Sequence, residues 1–298
     1  MPIMAPTGES ISEAPGPCPI VLCNGSLFGM FRLMKRIAAR FETLARYERT
    51  ALIAYITAGD PHIDTTCEIM KACADAGCDL IEVGVPFSDP MADGPAIGKA
   101  MGRALEAGTR LADVIDAVAT FRRVDATTPV ILFGYANPFF QYGYARLGLD
   151  AKAAGVDGLL IVDLPPEEAG EFLDLDEVRG LDFIGLFTPT SSDERVARIG
   201  KRTSGFAYYV SMTGVTGGAI AGLDSIKERV AAVRRISDLP VAVGFGIRTG
   251  EHARAVAEFA DGVVIGSELI RRIDAAGPES AAAAAGAYIG EIRAALDA

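Results

Sequence analysis

ADAGCDLIEVG at residues 74–84, KAAGVDGLLIV at 152–162 and AEFADGVVIG at 257–266 are three versions of one phrase. Each carries the chain out of a helical stretch, through a glycine-bearing turn that favours left-handed geometry, into a short apolar run. Five more runs of the same kind lie between and around them, at Leu52–Thr57, Val130–Gly134, Phe183–Phe187, Phe206–Ser211 and Val241–Phe245. With Asp79–Gly84, Gly158–Val162 and Gly262–Gly266 they make eight. Most are continuously apolar rather than alternating, which suits strands covered on both faces in a parallel sheet. Helical patterns fill the gaps at Asp64–Ala76, Leu111–Val124, Tyr144–Ala154, Asp193–Gly200, Leu223–Ile236 and Glu251–Phe259. Eight strands, each followed by a helical stretch, predict an α/β fold of the (β/α)8 barrel type. An open doubly wound sheet is the alternative, and it would call for a G-x-G-x-x-G after the first strand, which is absent.

The composition narrows the function classes. A chain of 298 residues that is 50% hydrophobic can fill a large core and is not disordered. Its formal charge of -11 argues against a nucleic-acid or anionic-membrane surface, and no uncharged apolar run approaches the length of a membrane span. The five cysteines include no C-x-x-C pair, and His62 and His252 are the only histidines, so neither a disulfide framework nor a metal site is expected. Reduced thiols and a cytoplasmic location follow. Residues 1–33, rich in Pro, Gly and Ser, place Glu9 and Glu13 ahead of the apolar stretch and Arg32 after it, the reverse of a secretory signal. They read as a flexible extension, followed by an extra amphipathic helix over Lys35–Tyr47 and one catalytic domain over 34–298.

In a (β/α)8 barrel, chemistry belongs to the C-terminal ends of the strands. Gly244-Phe245-Gly246 after the seventh strand and Gly266-Ser267 after the eighth predict a phosphate cradle of backbone N–H groups and a helix N-terminus. The glycine-rich stretch after the sixth, with Gly214, Gly217 and Gly218, reads as a lid that also contributes amides. Glu82 sits inside the second strand, where a buried carboxylate is costly unless it is paired or its pKa rises. A raised pKa suits a general acid–base. Asp89 and Asp93 follow in a proline-stiffened loop; one of them can reach over the mouth, and spacing does not say which. Tyr55, Phe133, Tyr135, Tyr208 and Phe245 suggest an apolar pocket for a planar group.

Ile81-Glu-Val-Gly-Val-Pro-Phe-Ser-Asp-Pro-Met-Ala-Asp-Gly-Pro95 closely resembles the signature of the tryptophan synthase alpha chain family. Tyr55-Ile-Thr-Ala-Gly-Asp-Pro61, Tyr135-Ala-Asn-Pro138, Ser211-Met-Thr-Gly-Val-Thr-Gly217 and Gly244-Phe-Gly-Ile247 follow in the family's order. The resemblance implies a barrel that cleaves indole-3-glycerol phosphate to indole and glyceraldehyde 3-phosphate. It implies no cofactor in this chain. The partner would be a beta chain in an alpha2-beta2 tetramer, carrying pyridoxal phosphate and receiving indole through a tunnel to make tryptophan. Position by position, it makes Glu82 the general acid–base and Asp93 the group facing the indole N–H, with Tyr208 assisting. Tyr55, Phe133 and Tyr135 match the indole pocket and its rim. Gly217, Gly246, Gly266 and Ser267 match the phosphate cradle, and Thr216 lies on the lid. The extension has no counterpart in the family, and Ala54 stands where many members have proline. A stand-alone lyase that releases free indole would carry the same residues.

Overall fold

Side chains along each strand alternate between two apolar environments, and that alternation builds the molecule. On β1 (Ala51–Thr57), Leu52, Ala54 and Ile56 face the outer shell, while Ala51, Ile53 and Tyr55 face a separate inner cluster. The computed structural model describes Met1 and residues 35–210, 222–244 and 246–298. After α1 (Arg36–Arg46) and β1 come α2 (Ile63–Asp75), β2 (Leu80–Gly84), α3 (Pro95–Glu106), α4 (Leu111–Arg122), β3 (Val130–Gly134), α5 (Ala136–Tyr142), α6 (Tyr144–Ala154) and β4 (Gly158–Ile161). The second half runs through α7 (Gly170–Leu173), β5 (Asp182–Phe183), β6 (Gly185–Phe187), α8 (Asp193–Gly200), β7 (Ala207–Val210), α9 (Leu223–Ser237), β8 (Val241–Gly244), α10 (Gly250–Ala257), β9 (Gly262–Ile265), α11 (Ser267–Ala276) and α12 (Ala281–Leu296).

All ladder pairings among the described residues are parallel, in the order β5-β4-β3-β2-β1-β9-β8-β7-β6. The two ends of that order are one residue apart in the chain. Ile184, between β5 and β6, donates its N–H to Leu159 O at 2.9 Å. The nine segments thus form a nearly closed (β/α)8 barrel whose fifth strand is split. β5 pairs with β4, and β6 pairs with β7. The sequence shows this strand as one run, because a break in pairing leaves the apolar pattern of its residues unchanged.

The bottom of the barrel is closed by charge and by a helix. Asp79, Asp157 and Asp261, the aspartates of the repeated phrase, accept the backbone N–H of Leu52, Val130 and Val241 at 2.9, 2.8 and 2.7 Å. Each clasps the start of a neighbouring strand. Arg122 and Arg36 pair with Asp157 at 2.7 and 2.8 Å, Arg293 with Asp79 at 3.3 Å, and Lys35 with Asp182 at 2.8 Å. α1 lays Ile37, Phe41 and Leu44 against the inner cluster, with the Phe41 ring 5.5 Å from that of Phe206. Among the described residues, the lumen is covered at its base and opens toward the C-terminal ends of the strands, where the loops lie.

Candidate functional site

Glu82 occupies the middle of β2, next to Tyr55 in the β1–β2 register and Ile131 in the β2–β3 register. Its side chain shares the parity of Leu80, which belongs to the inner cluster, so it points into the lumen. Glu82 is fully buried, and neither carboxylate oxygen has a hydrogen-bond partner among the described residues. Loss of hydration disfavours its charged form and pushes the pKa up to about 8. At neutral pH such a group holds a proton that it can lend and take back.

Asp93 lies at the end of the loop between β2 and α3. Tyr135, at the end of β3, donates its hydroxyl to Asp93 Oδ2 at 2.7 Å and accepts the N–H of Ala92 at 3.1 Å. One phenol thereby fixes both the height of the loop and the aim of its carboxylate. Burial raises the Asp93 pKa, and the bond from Tyr135 pulls it back. The Phe87 ring packs on Tyr135 at 5.2 Å. Asp89 is exposed on the same loop. The geometry therefore separates the two aspartates that spacing left open.

Two inward tyrosines lean across glycines of adjacent strands. A Cβ on Gly84 of β2 would lie 2.2 Å from Tyr55 Oη, and one on Gly244 of β8 would lie 2.5 Å from Tyr208 Oη. Only glycine leaves room for these rings. Tyr55 meets Phe133 edge to face, with centroids 5.1 Å apart. Burial, with the nearby Glu82 and Asp93 carboxyls adding, holds the Tyr208 phenol well above its ordinary range, so it remains a hydrogen-bond donor.

A cavity of about 660 Å³ opens beside these groups, with Asp93, Phe133, Val162, Leu186 and Tyr208 on its wall. Glu82, Tyr55 and Tyr135 are not on that wall. Leu186 and Val162 escaped the sequence reading, although their inward parity within apolar runs was the signal. Asp163, just past the end of β4, accepts the Ala136 N–H at 2.7 Å and anchors the start of α5. Across the mouth, Gly266 precedes α11 and Ser267 opens it, while Gly246 has a positive φ of 68° and is exposed. A Cβ on Gly94, which precedes α3, would lie 3.9 Å from Ser267 Oγ. Two helix N-termini therefore converge beside the Asp93 loop, an arrangement that suits an anion. Thr216, Gly217 and Phe245, together with Gly214 and Gly218, lie outside the described residues. Among the described residues, no group of three His, Cys, Asp or Glu side chains is placed to hold a metal, and no helix is long and apolar enough to cross a membrane.

The fold and site define a (β/α)8 barrel with one carboxyl buried in its lumen and another on a loop at the C-terminal end of its strands. The sequence profile of the tryptophan synthase alpha chain family matches residues 41–297. The tryptophan synthase alpha chain of Burkholderia multivorans is 51% identical over 264 residues, covering 89% of this chain and 97% of that one. Among solved structures, tryptophan synthase subunit alpha from Legionella pneumophila superposes with a TM-score of 0.82 at 42% identity, covering 89% of this chain and 99% of that one. A chain of tryptophan synthase from M. tuberculosis, in its aminoacrylate-bound form, gives 0.78 at 35% identity, covering 88% and 100%. The chain belongs to the tryptophan synthase alpha chain family, which makes it a lyase-type enzyme, and the family's naming implies a beta-chain partner.

Proposed function

We propose that this chain cleaves indole-3-glycerol phosphate to indole and glyceraldehyde 3-phosphate, with Glu82 as the proton carrier and Asp93 as the group that steadies the charged ring. The observation that carries this reading is the buried Glu82 carboxyl, unpartnered among the described residues, whose pKa of about 8 keeps it protonated at neutral pH. Protonated Glu82 gives its proton to C3 of the indole, and the ring becomes a cationic indolenine. Asp93, aimed by Tyr135, accepts a hydrogen bond from the ring N–H and stabilises that cation. Glu82, now a carboxylate, takes the proton of the glycerol hydroxyl next to the ring. The carbon–carbon bond then breaks, its electron pair restores the indole, and the oxygen becomes the aldehyde of glyceraldehyde 3-phosphate. Every proton is accounted for, and Glu82 ends as it began.

Tyr208, Phe133 and Tyr55 would flank the ring, and the amides near Gly246, Gly266 and Ser267 would hold the phosphate, with Gly217, Gly244, Phe245 and Thr216 completing the pocket and lid. Pyridoxal phosphate belongs to the beta partner in this reading. The exposed Met91 and Phe140, on the loop after β2 and on α5, suit a partner that covers the mouth, as in an alpha2-beta2 tetramer. A cytoplasmic location fits the same reading. Release of glyceraldehyde 3-phosphate, measured with and without a beta chain, is the test. Slow release alone that rises sharply with the beta chain supports a channelled subunit. Fast release indifferent to the partner would point instead to a stand-alone lyase, and no release in either case would refute the reaction.

A further inference from the structure

Four polar atoms of the lumen have no hydrogen-bond partner among the described residues: Tyr55 Oη, Thr57 Oγ1 and both oxygens of Glu82. Their side chains belong to residues only 3%, 2% and 0% exposed. Buried polar groups in native proteins are nearly always satisfied by protein, water or ligand, so such a cluster marks a place built for an atom the described residues do not supply.

The strand register brings the three together. Tyr55 pairs with Glu82 across β1–β2, and Thr57 pairs with Gly84. Residues two apart on a strand share a face, so Tyr55 and Thr57 both project inward beside Glu82. Tyr55 then leans over its neighbour strand: a Cβ on Gly84 would lie 2.2 Å from its Oη and 2.6 Å from its Cζ, and its ring meets Phe133 of β3. Gly84 is two residues nearer the mouth than Glu82 on the same face, so the phenol lies across β2 one inward position above the carboxyl-bearing residue. Phenylalanine would pack there as well, because Ile53, Leu80 and Phe133 belong to the same apolar cluster. The hydroxyl is thus not explained by packing. Burial, with the Asp93 and Glu82 charges adding and the neighbouring Thr57 hydroxyl pulling the other way, keeps the phenol protonated and a donor.

We propose that the hydroxyl of Tyr55, whose ring is placed beside the indole above, has a separate role with Thr57: the two hydroxyls and the Glu82 carboxyl bound a niche for one hydroxyl oxygen. Water fills it in the free chain, and a glycerol hydroxyl of the substrate fills it in the complex, the latter resting on the reaction proposed above. A hydroxyl in this niche receives a bond from Tyr55 and offers its own proton to Glu82.

The test uses the full chain with its beta partner, carrying Tyr55→Phe or, separately, Thr57→Val. Indole-3-propanol phosphate, which has the ring and the phosphate but neither glycerol hydroxyl, serves as the comparison ligand. Tyr55→Phe is expected to leave its Kd within about twofold and to lower kcat/KM for indole-3-glycerol phosphate by about tenfold, the loss typical of one bond to a charged or polar partner. Thr57→Val is expected to do the same more weakly, and thermal unfolding of both variants should match the parent. Equal weakening of both ligands would make Tyr55 a packing residue and overturn the niche. A fall of several degrees in Tm for Tyr55→Phe would overturn it too, by showing that the hydroxyl is satisfied within the protein. If the parent cleaves no substrate, the functional reading fails separately. The niche is then decided by a high-resolution crystal structure of the free chain: water bonded to both Tyr55 and Glu82 supports it, and a dry niche refutes it.

Discussion

In the proposed reaction, Glu82 couples activity and stability through a single titration. Its pKa rises from an ordinary 4.5 to about 8 in the folded chain, so between those values the folded state holds a proton that the unfolded state has lost. Stability contributed by this group is therefore fully present below the unfolded value and falls as pH rises to about 8, by an amount on the order of a few kcal/mol. Glu82→Gln removes that penalty. The variant should unfold at higher urea than the parent at pH 8, with the difference shrinking toward pH 5, while cleavage drops by roughly 10²–10⁴. A pH-independent difference in urea midpoint would show that Glu82 is not buried as a strained acid. In the parent, kcat/KM should fall as pH rises through about 8, because in the proposed mechanism only the protonated form begins the reaction. Tyr135→Phe acts at the other carboxylate: it removes the 2.7 Å bond to Asp93 and the link to Ala92. A loss of about tenfold in kcat is expected, with little change in the melting curve. Unchanged kcat would mean that Asp93 is held by other contacts.

Strands in this protein work as much through the side chains they omit as through those they carry. Gly244 lets the Tyr208 ring lie across β8, since an added Cβ would sit 2.5 Å from its hydroxyl and 2.8 Å from the ring. Gly244→Ala must push that ring into the cavity or off its rotamer. Expected outcomes are a loss of about 1–3 kcal/mol in urea unfolding and a fall of more than tenfold in cleavage. Activity near the parent's would mean that Tyr208 has free space to move. Most element positions were legible in the residues: the predicted Tyr144–Ala154 and Asp193–Gly200 coincide with α6 and α8, and the strands differ by a residue or two at their ends. α5, α7 and α12 were not read. α5 begins within the Tyr135-Ala-Asn-Pro138 stretch that reads as a loop, α7 spans four residues, and the alanine-rich α12 has little periodic contrast.

At the scale of the whole molecule, the barrel separates a charged, rigid base from a mouth built of loops. The phrase that ends helices at 76–79, 154–157 and 260–263 suggested turns, yet its aspartates turned out to be clasps between strands. Asp157 binds the Val130 N–H, Arg122 and Arg36 at once. Asp157→Ala would leave the Val130 N–H without its acceptor and the largely buried Arg122 guanidinium, which keeps its bonds to backbone carbonyls, without its carboxylate. It should cost about 3 kcal/mol in urea unfolding while leaving KM near the parent's, because the site lies at the opposite end of the barrel. A KM change of tenfold or more would mean that the base and the mouth are not independent.

The sequence alone determined the strand count, the alternation of strand and helix, the inward carboxylate at Glu82 and the family signature. All of these are written in local apolar pattern and contiguous residues. The family signature pointed to Asp93 where spacing left two loop aspartates open, and only the tertiary structure decided how that carboxylate is held, because its aim depends on Tyr135 reaching across from another strand. It also decided that the fifth strand is split, and that Tyr55 and Tyr208 occupy glycine gaps in neighbouring strands. Those facts arise from pairing between segments far apart in the chain, which a linear pattern of residue types does not encode.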